Sequence, residues 1–192
     1  MVSPTQLSVL RMIPIAKRIA LAGRGRLAVF RLLNSARGWD STHTPVADVR
    51  WALAEVRARY ADELPVGLVG HSLGGRAALL AGGQPPVRSV VALAPWLYPN
   101  DANPELAGRH VLIVHGDRDR IASPANAAAV ARRLSTLTPT SFISVRNGKH
   151  AMLKRHHVFD GLAADFTVAT LLDLPTHGPI ERVLAGEVRL EV

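Results

Sequence analysis

At Gly70-His71-Ser72-Leu73-Gly74-Gly75 a short apolar run, Val66 to Val69, stops at a glycine, a lone serine follows, and two glycines open a segment of good helix formers, Arg76 to Ala81. That order of residue types reads as a strand, a sharp turn and a helix in direct succession. Gly70 and Gly74 stand two residues to either side of Ser72, and flanking side chains would collide at so tight a corner, so the turn calls for glycine on both sides. The helix that opens there points its first backbone N–H groups at the corner, which favours negative charge at the serine.

The rest of the chain alternates strand-like and helix-like segments. Residues 6–22 carry apolar side chains in a mostly helical spacing, giving a helix kinked at Pro14 or beginning there. Leu27 to Leu33 reads as a buried strand, and residues 34–44 as a polar loop. Thr44 is the expected N-cap of a helix with Pro45 in its first turn, along which Val46, Val49, Leu53, Val56 and Tyr60 form one stripe. Val87 to Ala94 and Val111 to Val114 are near-continuous apolar runs, as in parallel strands covered on both faces. Ser123 and Pro124 open a helix through about Leu134, Thr140 to Val145 is a last strand, and Ala151 to Leu172 a last helix. The tail, residues 173–192, fits neither pattern uniquely. Strands alternating with helices imply an α/β fold in which a mostly parallel sheet carries helices on both faces, and 192 residues suit one domain, 1–192.

With these elements placed, Gly70-His71-Ser72-Leu73-Gly74-Gly75 resembles the nucleophile elbow of the α/β-hydrolase superfamily, most of all its small, lidless, esterase-like members. The likeness covers roughly Pro4 to Leu172. It implies Ser72 as a nucleophile, and a serine hydroxyl needs an imidazole to take its proton and an acid to orient that imidazole. The superfamily supplies them in the chain order Ser, Asp, His, each on a loop after a strand. His115-Gly116-Asp117-Arg118-Asp119 resembles its acid loop, with the acid three residues past the glycine. That selects Asp119, with Asp117 as the rival, because aspartates are also common as turn formers. Asn147-Gly148-Lys149-His150 resembles the catalytic-histidine loop, which makes His150 the base. The backbone N–H of Leu73 is the implied oxyanion donor. His71 belongs to the elbow without a chemical part, His156 and His157 fall on a helix surface, and His43, His110, His115 and His177 have no assignable partner.

The chain departs from the superfamily at its start. The second oxyanion donor normally lies on a loop after an earlier central strand, and this sequence opens at Met1-Val2-Ser3-Pro4, where that loop should already be ending. The expected fold is therefore an N-terminally shortened α/β-hydrolase core. In it residues 27–33 pair directly with the elbow strand, or a segment such as residues 187–192 fills the gap. Two accounts stay open: a reading frame whose start is set too far downstream, or a true short form that is catalytically weakened, or inactive and a binding module.

The implied activity is hydrolysis of carboxylic esters or thioesters through an acyl-enzyme, with a small acyl compound as partner. Residues 95–108 are too few for a lid domain. Trp39, Trp96 and Tyr98 stand on loops near the expected mouth, where they could wall an acyl pocket or simply pack. No phosphate-binding glycine loop, dinucleotide fingerprint or metal-ligand spacing appears, so no cofactor and no metal is implied.

Without cysteine, disulfides and thiolate metal sites are excluded. No apolar run approaches the roughly 20 residues of a membrane span, and Arg11, Lys17 and Arg18 interrupt the start where a signal sequence would be apolar. A cytoplasmic location is the expectation. The net charge of +8 is concentrated before residue 38, which holds seven basic side chains and no acidic one. Such a segment could meet nucleic acid or an anionic membrane surface. Only Lys17, Lys149 and Lys154 among the 23 basic residues are lysine, though, and that arginine excess in an Ala, Val and Gly-rich chain matches a compositional bias. No aromatic residues interleave to stack bases, which argues against nucleic acid. The oligomeric state is not legible.

Overall fold

The computed structural model describes residues 6–60 and 64–192. Five strands, β1 (Val66–His71), β2 (Val87–Leu93), β3 (His110–Gly116), β4 (Thr140–Val145) and β5 (Arg189–Glu191), form one sheet in that order, each parallel to the next. Six helices flank it: α1 (Leu7–Gly23), α2 (Thr44–Arg59), α3 (Leu73–Ala81), α4 (Pro124–Leu134), α5 (His156–Leu172) and α6 (Pro179–Leu184).

The apolar runs of β2 and β3 are continuous because both faces of the sheet are covered. Side chains alternate along a strand, so Val90 and Ala92 of β2 and Val111 and Ile113 of β3 meet α2, α3 and α4 on one face. Val91, Leu93, Leu112 and Val114 meet α1, α5 and α6 on the other. The helices answer with matching stripes: Val46, Val49 and Leu53 from α2, Ala127, Val130 and Leu134 from α4, Ile15 and Ile19 from α1, and Phe159 and Phe166 from α5. α4 begins where its sequence signal placed it, with Ser123 Oγ accepting the N–H of Asn126 at 3.2 Å.

Several elements differ from expectation. α1 does not begin at Pro14 but contains it, and Pro14 sits on the solvent side, where water can take up the backbone partners that proline leaves unbonded. Thr44 is the first residue of α2 rather than its cap. The Asp40 carboxylate caps the helix from the preceding loop, accepting the Thr44 N–H at 2.9 Å. Residues 146–155, part of which read as the start of the last helix, form a loop, and α5 begins only at His156.

Leu27 to Leu33 is not a strand. The segment is irregular, with Phe30 61% exposed, while Leu27 and Val29 pack onto the α1 and α5 side of the core. Apolar residues alone do not make a strand; a ladder partner is needed, and this segment pairs with none among the described residues. The tail resolves into α6 and β5, and β5 joins β4 at the opposite edge of the sheet. Neither segment therefore pairs with β1, which is an edge strand among the described residues.

Candidate active site

The loops that leave the C-terminal ends of β1, β3 and β4 converge at one place, the end at which open α/β sheets bind their ligands. Ser72 occupies the single residue between β1 and α3 with φ 56° and ψ −120°, a conformation strained for any side chain but glycine. It is held there by backbone bonds: its N–H donates to Leu93 O at 3.0 Å, and its carbonyl accepts from Trp96 and Arg76, each at 3.2 Å. The steric demand falls on one side of the corner more than expected. A Cβ on Gly70 would lie 2.2 Å from the Gly74 carbonyl oxygen, and one on Gly75 would lie 3.0 Å from the Gly70 oxygen, whereas one on Gly74 would meet nothing.

Asp119 follows β3 and His150 follows β4. The two loops are joined by backbone bonds from Asp117 N to Val145 O (3.1 Å) and Arg118 N to Gly148 O (3.0 Å). This places His150 Nδ1 2.9 Å from Asp119 Oδ2 and His150 Nε2 2.9 Å from Ser72 Oγ. A carboxylate only accepts, so Nδ1 carries the ring proton and the Nε2 lone pair accepts the serine O–H. Asp119 is buried and the His150 side chain 17% exposed. Asp117, the rival acid, is exposed and outside this chain of bonds.

The Asp119 carboxylate accepts two further kinds of donor. Oδ1 takes the backbone N–H groups of Ile121 (2.8 Å) and Ala122 (3.0 Å), and Oδ2 takes His115 Nε2–H at 3.0 Å in addition to His150. Burial of the carboxyl opposes ionisation. The His115 N–H, the two amides and His150 outweigh it and hold Asp119 well below the usual carboxylate range.

His71 donates its Nε2–H to the backbone carbonyl of His150 at 2.8 Å, the two rings lying 5.1 Å apart. Burial pushes its pKa down to about 4, against the opposing effect of that bond. Sequence reading gave neither His71 nor His115 a partner, although a histidine closing an apolar strand just before an acid loop was the available signal for the second. His43 lies beside Trp39, and His156 is exposed, 3.7 Å from Asp160.

The aromatic residues expected near the mouth are divided. Trp39 and Tyr98 lie on either contact of the Arg76 guanidinium, 4.1 and 4.7 Å from it, and Arg76 is itself buried against Asp101 through two bonds of 2.8 and 3.0 Å. They pack on a cation of α3. Trp96, 37% exposed, is tied to the serine through its backbone N–H. The Leu73 N–H is in the first turn of α3, where no acceptor exists within the helix. Met1 to Pro4, where the second donor loop is expected to end, lie outside the described residues.

Among the described residues no three His, Cys, Asp or Glu side chains are grouped to hold a metal ion, and no helix is long and apolar enough to cross a membrane.

Solved structures share this arrangement of sheet and helices. The esterase domain of a Rhodothermus marinus protein superposes with a TM-score of 0.62 at 19% identity, over 83% of this chain and 78% of its own. An α/β serine hydrolase homologue from Coxiella burnetii gives 0.61 at 19%, over 80% and 76%. A serine hydrolase without a lid from Xanthomonas campestris gives 0.60 at 20%, over 87% and 77%. No family model and no curated protein matches the sequence. The chain has the α/β-hydrolase fold. It is of the lidless kind, because β2 and β3 are joined only by a loop with one 3₁₀ turn, Pro104–Leu106.

Proposed function

We propose that this chain is a serine hydrolase acting on carboxylic esters or thioesters through Ser72, His150 and Asp119. The observation that carries the reading is the unbroken run of bonds from Ser72 Oγ through both His150 ring nitrogens to Asp119 Oδ2, each 2.9 Å long. Ser72 Oγ attacks the acyl carbon while His150 Nε2 takes its proton, and Asp119 holds the ring in the required tautomer and stabilises the imidazolium. The Leu73 N–H receives the developing oxyanion at the positive end of α3. Collapse of the adduct breaks the bond to the alcohol or thiol, which leaves with the proton from Nε2. The acyl group stays on Ser72 until water, deprotonated by the same nitrogen, releases it as a carboxylic acid.

A small acyl compound is the substrate class, and the loops at Trp39, Trp96 and Tyr98 border its entry. Support comes from the lidless fold and from the esterases and serine hydrolases that share it. The test is labelling with a serine-directed fluorophosphonate together with turnover of short acyl esters and thioesters. Both should depend on Ser72 and vanish in Ser72→Ala. Equal labelling of the two proteins, or no Ser72-dependent turnover, would discard the reading and leave a non-catalytic hydrolase-fold binding module.

A further inference from the structure

The geometry points to His115 as a positioning residue that holds the Asp119 carboxylate in the one rotation that serves His150. The inference rests on the reading of Ser72, His150 and Asp119 given above. A carboxylate offers about four acceptor positions, two on each oxygen. In Asp119 all four are filled: Ile121 and Ala122 on Oδ1, His115 and His150 on Oδ2. The His150 bond is the one that must change strength during turnover, since the ring alternates between neutral and charged. The other three are fixed, and His115 is the only one of them on the oxygen that faces His150.

His115 is suited to that task by where it comes from. It is the penultimate residue of β3, paired with Ser144 of β4, and its side chain is fully buried. His115 is rooted in the central strand of the sheet, outside the loop that carries Asp119, whereas the amides of Ile121 and Ala122 belong to that loop. The bond reaches from the sheet to the loop, and it defines the torsion that the loop's own amides leave free.

Packing alone does not account for a histidine at this position. Because the carboxylate only accepts, His115 carries its proton on Nε2, and Nδ1 is left as a buried lone pair with no hydrogen-bond partner among the described residues. Burying an unmatched polar atom costs stability. A leucine of similar reach would fill the space without that cost, so what the imidazole contributes is its Nε2–H.

Three proteins and one spectrum test this. Phosphonylation by the fluorophosphonate is followed as a rate constant per active site, alongside kcat and KM for a short acyl ester, in the wild type, His115→Leu and His115→Gln. The glutamine amide can place a donor where Nε2 stands. His115→Leu should lose on the order of 10- to 10²-fold in the rate constant and in kcat with KM little changed, while labelling still reaches one per chain. His115→Gln should recover most of that loss. Wild-type rates in His115→Leu, or equal losses in the leucine and glutamine variants, overturn the inference. Nitrogen-15 histidine NMR of the unmodified protein covers the case in which the variants do not fold. His115 should carry a proton at Nε2, and an Nε2 without a proton overturns the inference. Labelling that persists in Ser72→Ala would instead discard the reading of the site itself, which separates the two failures.

Discussion

Gly116 and Gly148 meet backbone to backbone, so closely that a Cβ built on Gly116 would lie 2.3 Å from the Gly148 carbonyl oxygen and one on Gly148 would lie 2.7 Å from the Gly116 Cα. One glycine ends β3 and the other stands in the loop after β4, so their contact sets the spacing between the loop that carries Asp119 and the loop that carries His150. No side chain at either position can move aside, because the atoms in the way belong to the main chain.

Gly148→Val therefore forces the two loops apart. A displacement of about 1 Å in a catalytic group costs on the order of 10² in rate. We expect Ser72-dependent esterase activity to fall by at least that factor and Tm to drop as well. A variant that keeps wild-type turnover would show that the loops reach their spacing without this contact.

At the elbow, the structure separates two glycines that the motif treats alike. Gly70→Ala drives a methyl into the backbone of the first turn of α3, and it should cost roughly 1–3 kcal/mol, as overpacked sites do. Gly74→Ala meets open space in a helix and should be neutral or stabilising by up to about 1 kcal/mol. Urea unfolding of both variants checks the pair, and the reverse order would place the steric demand on Gly74.

The choice between the two acids is open to kinetics. Asp119→Asn leaves an amide that can present N–H to His150 and so favour the wrong tautomer, which under the proposed mechanism should cost on the order of 10⁴ in kcat. Asp117→Asn alters an exposed side chain outside the bonded run. Its turnover should stay within a few fold of wild type, and a larger loss there than at Asp119 would reassign the acid.

How much of this was legible in the sequence depends on whether the relevant contact is local. The elbow, the buried strands β2 and β3 and the cap of α4 are carried by short-range patterns; Asp119 and His150 were picked out by the likeness of their loops to a family, and the structure brings them and Ser72 within hydrogen-bond reach of one another. Leu27 to Leu33 failed because an apolar run says nothing about whether a neighbouring strand exists to bond it. The tail failed in the other direction: β5 is three residues long, and only its pairing with Phe142 to Ser144 makes it a strand. The partners of His71 and His115 were out of reach for a similar reason. His71 meets a residue 79 positions away, and His115 meets an acid whose selection already depended on the likeness to a family.

Arg11 and Asp160 tie α1 to α5 through a buried ion pair of 2.5 Å. Removing one partner from such a pair strands the other charge, at a cost of about 3–5 kcal/mol, while replacing both with apolar residues of similar volume is often neutral. Arg11→Met should therefore lower stability strongly, and Arg11→Met combined with Asp160→Leu should recover much of the loss. Equal damage in the single and double variants would mean that the pair does more than neutralise itself.

His71 predicts a specific dependence of stability on pH. Burial holds its folded pKa near 4, against 6.5 for a free histidine. The folded state therefore binds fewer protons than the unfolded one between those values, and the free energy of unfolding falls as the pH falls. The contribution is fully present above about pH 6.5 and lost by about pH 4; at 1.36 kcal/mol per pKa unit it amounts to about 3 kcal/mol. Its Nδ1 is buried with no hydrogen-bond partner among the described residues, so a second proton there would meet no acceptor among them. His71→Phe removes the titration and also the Nε2–H bond to the His150 carbonyl. It should be less stable than wild type at pH 8 yet lose less stability between pH 6.5 and pH 4. Urea titrations at both ends of that window measure the two slopes, and parallel slopes would show that His71 is protonated as readily in the folded chain as in the unfolded one.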